Sequence, residues 1–402
     1  MELNDVCELI VDCEHKTAPT QATGYPSIRT PNIGRGYFIL DSVNRVSEET
    51  YRFWTRRAIP QPGDLIMARE APVGNVAMIP PGLQPCLGQR TLLLRPNPSK
   101  VDPAFLNYFL NGPHVQSLIH AKTNGATVPH LNMKDVRTMQ LPDLPPLPIQ
   151  RRIASILSAY DELIENSQRR IKILEAMARA LYREWFVHFR FPGHENHPRV
   201  ASPLGEIPKG WEVKKLAEVA AVNRAQINAR TAPEELRYID ISSVSPGQID
   251  SITTYAFADA PGRARRSVQH GDVLWSCVRP NRRSHAQVMH PEPNTIASTG
   301  FAVLTATKVP FTFLYFATTT DDFVVYLTNN ATGAAYPAVT AATFEKADLL
   351  SPPAPLLKRF GEATLPMAEQ IHSLQRQIQN LRRTRDLLLP RLLSGQIEVD
   401  AT

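Results

Sequence analysis

The amino-acid sequence predicts an α+β fold with two globular domains in tandem, separated by two long helices. The helices are expected to pair as an antiparallel coiled coil with pseudo-two-fold symmetry. Three observations predict this fold: an internal repeat, two apolar stripes with heptad-like spacing, and a length of 402 residues, which exceeds one ordinary core. The predicted segments are a first domain, a long helix, a linker, a second domain and a C-terminal helix, at 1–147, 148–191, 192–210, 211–356 and 357–402.

The repeat is a set of four sequence matches that share one spacing of 208 residues. Near the start of the chain the spacing is 213, because Leu3 and Val6 match Leu216 and Val219. Four matches in one register indicate a duplicated unit, and a two-fold axis between duplicates makes the contact between their helices self-complementary. The four matches pair Gly63-Asp64-Leu65 with Gly271-Asp272-Val273, Phe105-Leu106 with Phe313-Leu314, Gly125–Pro129 with Gly333–Pro337, and Ile149-Gln150-Arg151 with Leu357-Lys358-Arg359.

The long helices are predicted from apolar residues that recur every three or four positions. Pro148 suits a first helical turn, and no Gly or Pro follows it up to Arg190. Pro366 is expected to separate a short lead-in helix from the second long helix, and Pro390 to end or kink that helix. The alternative is that each helix packs onto its own domain as core. The two stripes are Ile153, Ile156, Tyr160, Leu163, Ser167, Ile171, Leu174, Ala178, Leu181 and Trp185, and Met367, Ile371, Leu374, Ile378, Leu381 and Leu388.

The domains are predicted to consist of short strands, turns and short helices. Strands are expected after the two Gly-Asp turns, at 64–69 and 273–278, and again at 92–95 and 301–304. Short helices are expected at 105–111 and 313–319. The segment 192–210 is rich in Pro, Gly and His, which is typical of a linker.

Composition and charge exclude several classes of protein. The chain has 44 Lys and Arg against 38 Asp and Glu, but residues 192–356 carry 15 of each, so the chain is not a bulk polycation. Four Cys without a CxxC spacing exclude a disulfide scaffold and a Cys-rich zinc site. The N-terminus has no basic region followed by an apolar run, and no 18 apolar residues stand together. We expect a soluble, cytoplasmic protein without membrane contact.

Motifs of nucleotide, metal and methyl-transfer chemistry are absent from the sequence. There is no phosphate-binding GxxxxGK[ST], no GxGxxG, no HExxH and no amino-methyltransferase tetrapeptide. His194 and His197 have the wrong spacing for a helical zinc site, and they lie in the Pro-rich linker. We therefore expect neither catalytic residues nor a metal in this chain.

Several motifs carry a family resemblance. They are Leu144–Gln150 (LPPLPIQ), the Leu174–Phe186 stretch ending in Trp-Phe, Pro203–Trp211 (PLGEIPKGW), Ser298–Phe301 (STGF) and Leu387–Gly395 (LLLPRLLSG). Together they resemble the specificity (S) subunits of type I restriction-modification systems, and the resemblance covers nearly the whole chain.

The resemblance implies a non-catalytic subunit that reads double-stranded DNA. Each globular domain would be a target recognition domain for one half of an asymmetric, two-part site, and the paired helices would set the spacing. The helices would also dock two methylation (M) subunits, which use S-adenosylmethionine to methylate adenine. Restriction (R) subunits using ATP and Mg would join a full complex, while this chain itself would bind no cofactor.

Candidate DNA contacts are chosen by side-chain chemistry, because Arg suits guanine edges and Asn suits adenine edges. Six Arg oppose two Asp between 259 and 283, and the loops 125–132 and 333–340 are interpreted as turns that position a contact. The alternatives for each residue are a solvated charged face or a phosphate contact. The candidates are Arg52, Arg56, Arg57, His130 and Asn132 in the first domain, and Arg263, Arg265, Arg266, Arg279, Asn281, Arg282 and Arg283 in the second.

Two other function classes remain open at this point. A coiled-coil scaffold or interaction protein that never touches DNA is compatible with the near-neutral domains. A methyltransferase or nuclease in its own right is disfavoured by the missing cofactor and acidic motifs. Salt-sensitive duplex binding by an assembled complex distinguishes the DNA reader from the scaffold.

Overall fold

The computed structural model describes residues 1–123, 125 and 129–400. The chain divides into two compact units: the first comprises Met1–Asn166 and Gln377–Thr402, and the second comprises Ser167–Arg376. Each unit therefore contains one globular domain together with parts of both long helices. The domain bounds predicted from the sequence, which set the helices apart from the domains, stay a prediction.

The first unit is built on a four-stranded antiparallel sheet with a smaller sheet and several helices around it. The four strands, in spatial order, are Cys7–Asp12, Thr91–Pro96, Leu65–Ala68 and Val76–Met78. The smaller sheet has the order Arg45–Val46, Tyr25–Ile28 and Cys86–Leu87, of which the last two are parallel. The helices are Leu3–Val6 and Thr30–Asn32 (both 3-10), Glu48–Trp54, Pro103–Asn111, Pro113–Ala121 and Met133–Arg137.

The second unit has a four-stranded sheet with the same strand order, made of Ala220–Val222, Phe301–Ala306, Val273–Ser276 and His285–Gln287. A second four-stranded sheet has the order Thr253–Ala256, Glu235–Ile239, Thr295–Ser298 and Ala264–Ser267. Strand pairs join Glu212–Lys215 to Asp348–Ser351, Val244–Ser245 to Gln248–Ile249, and Arg199–Ser202 to Gly205–Pro208. The helices are Leu216–Val219, Phe311–Thr318, Asp321–Asn329 and Ala341–Glu345, with 3-10 turns at Ile241–Ser243, Phe257–Asp259 and Pro280–Arg282.

The structure confirms the repeat in the shared four-stranded sheet and in the helices that follow it. The strand Val273–Ser276 and the helix Asp321–Asn329 both lie 208 residues after their counterparts Leu65–Ala68 and Pro113–Ala121. The first helical turn shows the drifted spacing, since Leu3–Val6 and Leu216–Val219 differ by 213. The predicted short strands and helices are confirmed to within two residues at their ends.

The shared Gly-Asp turns have a local cause. Gly63 and Gly271 adopt positive φ angles of 92° and 86°, a region that favours glycine. The carboxylate of Asp64 accepts the backbone N–H of Gln61 at 2.9 Å, and that of Asp272 accepts the N–H of Gln269 at 2.8 Å. Each buried aspartate thus closes the turn that starts a central strand.

In the first unit the two long helices pack side by side. Ile153 and Leu157 of the first helix share an apolar core with Leu392 of the second. Further along, Asp161 accepts hydrogen bonds from Arg385 and from the hydroxyl of Tyr108, the latter at 2.6 Å. Residue numbers rise along one helix as they fall along the other, so the pairing in this unit is antiparallel, as predicted.

In the second unit the same two helices pair through aromatic side chains. The ring of Phe186 lies 4.9 Å from Phe360 and 5.0 Å from Phe313, and Tyr182 lies 6.1 Å from Phe360. Ala178 belongs to the same core, with Met367 packed against it. This arrangement is also antiparallel, and it ties the helix pair to the domain through Phe313.

The structure corrects three details of the helical prediction. The first helix runs over Leu147–Tyr182 with a π-helical turn at Arg183–Val187, and the second runs unbroken over Ala354–Leu393. The predicted break at Pro366 and the predicted end at Pro390 are therefore wrong, because packing of the surrounding turns outweighs the hydrogen bonds that the prolines remove. The alternative of a kink at Pro390 stays a prediction. In the first stripe Leu163 is half exposed, and Ile164 is buried in its place.

The predicted linker contains regular structure. The strands Arg199–Ser202 and Gly205–Pro208 form a hairpin, and Ile207 and Trp211 are buried in the core of the second unit. The four cysteines are free thiols. None of the helices in the described part of the chain is long and apolar enough to cross a membrane.

Candidate nucleic-acid interface

Four of the predicted contact residues lie on one turn of the second unit, which we call the 279–283 turn. It follows the central strand Val273–Ser276 and consists of a 3-10 helix, Pro280–Arg282, between two residues in the left-handed region. Arg279 has a φ of 51° and Arg283 a φ of 56°, conformations that cost about 1 kcal/mol or more per non-glycine residue. Asn281 and Arg282 are exposed at the tip of this strained turn.

The 279–283 turn is joined to the loop 333–340, which the sequence analysis singled out separately. The backbone N–H of Arg279 donates to the carbonyl of Pro337 at 2.7 Å, and its guanidinium donates to the carbonyl of Ala335 at 3.2 Å. The same guanidinium lies 4.8 Å from the ring centre of Tyr336, whose side chain is 70% exposed. Turn and loop thus form one surface that presents Arg, Asn and an aromatic ring.

The first unit anchors its corresponding loop in the same way. Leu131 N–H donates to the carbonyl of Arg69 at 3.1 Å, and Val339 N–H donates to the carbonyl of Cys277 at 2.9 Å, both 208 residues on. His130 forms a β-bridge with Glu70, just as Ala338 does with Val278. Asn132 is exposed at the start of the helix Met133–Arg137. Residues 124 and 126–128 of the predicted 125–132 loop lie outside the described residues.

The remaining candidates of the first unit lie on or after the helix Glu48–Trp54, and each has an acidic partner. Arg52 pairs with Glu48 on the exposed helix surface. Arg56 pairs with Glu14 at 2.9 Å and lies 3.9 Å from the ring centre of Phe53. Arg57 lies 3.7 Å from the same Glu14 and donates to a backbone carbonyl. Two carboxylates serve these three arginines, so each arginine is ion-paired although one net positive charge remains, and we rank them below the 279–283 turn.

The arginines at 263–266 lie on another sheet of the second unit. Arg265 stacks 5.2 Å from the ring centre of Phe257, and the Nε of Arg266 is buried. The STGF segment connects this strand to the 279–283 turn, because Thr299 N–H donates to the carbonyl of Arg263 and Gly300 accepts the N–H of Cys277, both at 2.8 Å. The six arginines therefore lie on two neighbouring elements. Their side chains differ in environment: Arg265 lies over an aromatic ring, Arg266 has a buried Nε, and Arg283 is ion-paired.

Charges around the turn are tuned by specific partners. The hydrogen bond from Arg283 lowers the pKa of the Asp321 carboxyl, so this pair stays ionised at neutral pH. Burial raises the pKa of the Cys277 thiol to about 11, which keeps that residue neutral and unreactive beneath the turn. Within this turn, Arg279 and Arg282 therefore carry positive charge without an ion-pair partner among the described residues, whereas Arg283 is paired with Asp321.

Sequence reasoning missed two residues, one in each unit. Tyr336 was part of a predicted loop but was not proposed as a contact, although an aromatic residue in an exposed Gly-rich loop was an available signal. Arg69 was missed because its role depends on tertiary structure: it donates to the Leu131 carbonyl at 2.8 Å and to Asp12 at 2.9 Å. Arg69 therefore holds the first unit's loop in place.

Comparisons with known proteins point to one family. Residues 1–176 match the family model described as the type I restriction modification DNA specificity domain. The chain is 24% identical over 380 residues to the type I restriction enzyme MjaIX specificity subunit of Methanocaldococcus jannaschii, covering 90% of this chain and 84% of that protein. It is 21% identical over 372 residues to the HindI specificity subunit of Haemophilus influenzae, covering 76% and 80%.

A solved structure shares the fold. The S subunit of a type I restriction-modification system from M. genitalium aligns with a TM-score of 0.63 at 14% identity, covering 100% of this chain and 96% of that one. The likeness therefore extends over the two tandem domains and the long helices.

Proposed function

We propose that the chain is a DNA specificity subunit of a type I restriction-modification system, and that each of its two units reads one half of an asymmetric, two-part DNA target. As a specificity subunit, the chain supplies sequence recognition and is not itself an enzyme. The DNA is read by exposed turns and loops, and the two half-sites differ because the side chains on these loops differ between the units.

One observation carries the proposal. In both units a turn and a loop are held at equivalent places of equivalent four-stranded sheets, but their side chains differ. After the shared central strand, the second unit presents Arg-Pro-Asn-Arg-Arg at 279–283, whereas the first presents Ala-Pro-Val-Gly-Asn at 71–75. A common scaffold with unlike contact residues is the arrangement expected for two domains that read different sequences.

The side chains on the second unit's surface suit duplex DNA. Arg282 can bond a guanine edge or a phosphate, and Asn281 can bond an adenine edge. Arg279 is held in one orientation by Tyr336 and Ala335, so little side-chain entropy would be lost when it binds. We favour this surface over the ion-paired arginines Arg52, Arg56 and Arg57.

Partner subunits are proposed to complete the function. The two domains are close to neutral, so part of the phosphate contact would come from two methylation subunits bound to the long helices. The apolar side chains that the helices leave 40–58% exposed suit such docking: Leu163, Ile173, Met177, Leu365 and Leu387. S-adenosylmethionine would be bound by these methylation subunits, and ATP with Mg by restriction subunits, all in the cytoplasm.

The test is a genome-wide map of methylated adenine in cells that express this chain with its neighbouring methyltransferase subunit. A partner with an inactivated catalytic site is the control. The proposal predicts a new two-part motif with a fixed gap. A stable complex that adds no methylation and binds duplex DNA without sequence preference would contradict it and favour a scaffold.

A further inference from the structure

A cluster of histidine and carboxylate side chains lies in the second unit, apart from the candidate DNA surface. His270, His290 and Glu369 each offer one ligand atom, and these atoms lie within 4.8 Å of one another. The Nε2 of His290 is 2.8 Å and 3.0 Å from the two carboxylate oxygens of Glu369. The rings of His270 and His290 have centres only 4.3 Å apart.

A fourth potential ligand stands beside these three. His372 lies three residues after Glu369 on the helix Ala354–Leu393, so both side chains emerge on the same face. The ring centre of His372 is 5.6 Å from that of His290. Three imidazoles thus gather around one carboxylate.

The backbone places the cluster at a fixed point. His270 precedes the Gly-Asp turn of the central strand, where Gly271 N–H donates to Val288 at 2.8 Å. His290 lies just after the neighbouring strand and has a φ of 44°, a strained conformation for a residue with a side chain. Its N–H donates to the Nδ1 of His270 at 3.2 Å. Strained residues that converge on a carboxylate are common at ligand sites.

We propose that His270, His290 and Glu369, with His372 or water as fourth ligand, bind a divalent transition-metal ion of the zinc class. Imidazole nitrogen and carboxylate oxygen are typical zinc ligands at about 2.0–2.2 Å in tetrahedral geometry. Ligand atoms in such a site are separated by roughly 3.3 Å, so the cluster closes on the ion through small side-chain rotations. These four ligands complete a tetrahedral zinc site, so the site requires no cysteine.

The metal would act as a clamp between the helix and the sheet of the second unit. His270 and His290 belong to the domain, whereas Glu369 and His372 belong to the long helix. In the first unit, the position equivalent to Glu369 is Asp161, which binds Arg385 and Tyr108 instead. The equivalent of His270 is Pro62. The two repeats would therefore fix their helices by different chemistry.

The other His, Cys and carboxylate group found among the described residues is a weaker candidate. It comprises Asp12, Cys13 and His15. Asp12 already accepts two hydrogen bonds from Arg69, at 2.9 Å and 3.2 Å, which balance its charge. Burial raises the pKa of Cys13, which disfavours the thiolate that a metal requires.

The test is metal binding by the tag-free, full-length chain after removal of metals with a chelator. Zn²⁺ is titrated in competition with a chromophoric chelator, and Co²⁺ is added separately to record its visible absorption. We expect one Zn²⁺ per chain, and a Co²⁺ spectrum typical of tetrahedral coordination. His290→Asn and Glu369→Gln should each weaken Zn²⁺ binding at least about tenfold and abolish that spectrum.

A double variant, His194→Asn with His197→Asn, is the matched control, because those residues lie in the second unit but bond to backbone carbonyls of Phe191 and Lys209. It should bind Zn²⁺ like the unaltered chain, and circular dichroism checks that all variants are folded. The proposal is overturned if the unaltered chain binds no stoichiometric Zn²⁺. Equal binding by the His290 and Glu369 variants would overturn it as well.

Discussion

At the residue scale, the candidate arginines differ in whether a carboxylate lies within ion-pair distance of the guanidinium. Arg52 and Arg56 have carboxylates within ion-pair distance, and Arg283 is bound to Asp321. Arg282 is exposed at the tip of the 279–283 turn, beside the ordered Arg279. Residue type and local charge in the sequence gave these arginines equal standing as candidate DNA contacts. Their contacts in the folded chain distinguish them.

Replacing Arg282 with alanine tests this ranking. If Arg282 contacts a base, the loss should be about 1–3 kcal/mol of binding, and specificity should relax at one position of the target. If it contacts a phosphate, binding should weaken uniformly and the salt dependence should fall by about one ion. The measurement is duplex binding by the assembled complex over a range of salt. Arg52→Ala is the matched control, and a loss of the same size there would refute the ranking.

A second residue-scale prediction concerns His285, which is 5% exposed and whose ring lies tilted against that of Trp275, with ring centres 4.8 Å apart. Burial, followed by the charges of Arg179 and Arg283, lowers its pKa to about 4. The unfolded chain binds the proton near pH 6.5, so stability is full above that pH and is lost as pH falls toward 4. The loss should be about 2 kcal/mol between pH 7.5 and pH 5.

Urea unfolding of the second unit at pH 7.5 and pH 5 measures this effect. In His285→Gln the pH dependence should shrink by about 2 kcal/mol, although the variant is less stable at both values. His197→Gln, in an exposed part of the same unit, should keep the full pH dependence. An unchanged pH dependence in the His285 variant would show that other groups cause it.

At the element scale, the sequence predicted the strands and helices that follow from local patterns. It did not predict features that depend on packing between distant segments. The spacing of 208 residues located the strand Val273–Ser276 and the short helices, because Gly-Asp turns and apolar patterns are local signals. Pro366 and Pro390 were expected to interrupt a helix that in fact continues, since a local rule was outweighed by contacts on both sides. The His270, His290 and Glu369 cluster was not predicted, because its members are up to 99 residues apart.

The helices also carry a prediction about DNA spacing. Removing 165–171 together with 375–381 deletes seven residues from each helix, which is close to two turns and keeps the apolar stripes in phase. Seven residues span about 10.5 Å, or roughly three base pairs. We expect the gap in the methylated motif to shorten by about three base pairs. Deleting only 165–171 should break the pairing and abolish methylation, and an unchanged gap in the double deletion would exclude the helices as spacers.

At the scale of the whole molecule, duplication gives the chain two separate units, and the proposed pair of DNA specificities rests on them. Each unit has its own core, its own four-stranded sheet and its own anchored loop. Side chains on the loops can change without disturbing the other unit, because distant sites contribute nearly independently to stability and binding. The sequence predicted this organisation, but it could not predict the DNA target, which depends on side-chain placement at base edges and on DNA shape.

The most direct measurement is the methylated motif of a chimaera in which residues 1–147 are replaced by the first domain of another type I specificity subunit. The complex is assembled with the same methylation subunits, and methylated adenine is mapped as for the original chain. Our account predicts that one half of the motif changes while the other half and the gap stay the same. A motif that changes in both halves, or in neither, would contradict independent reading by the two units.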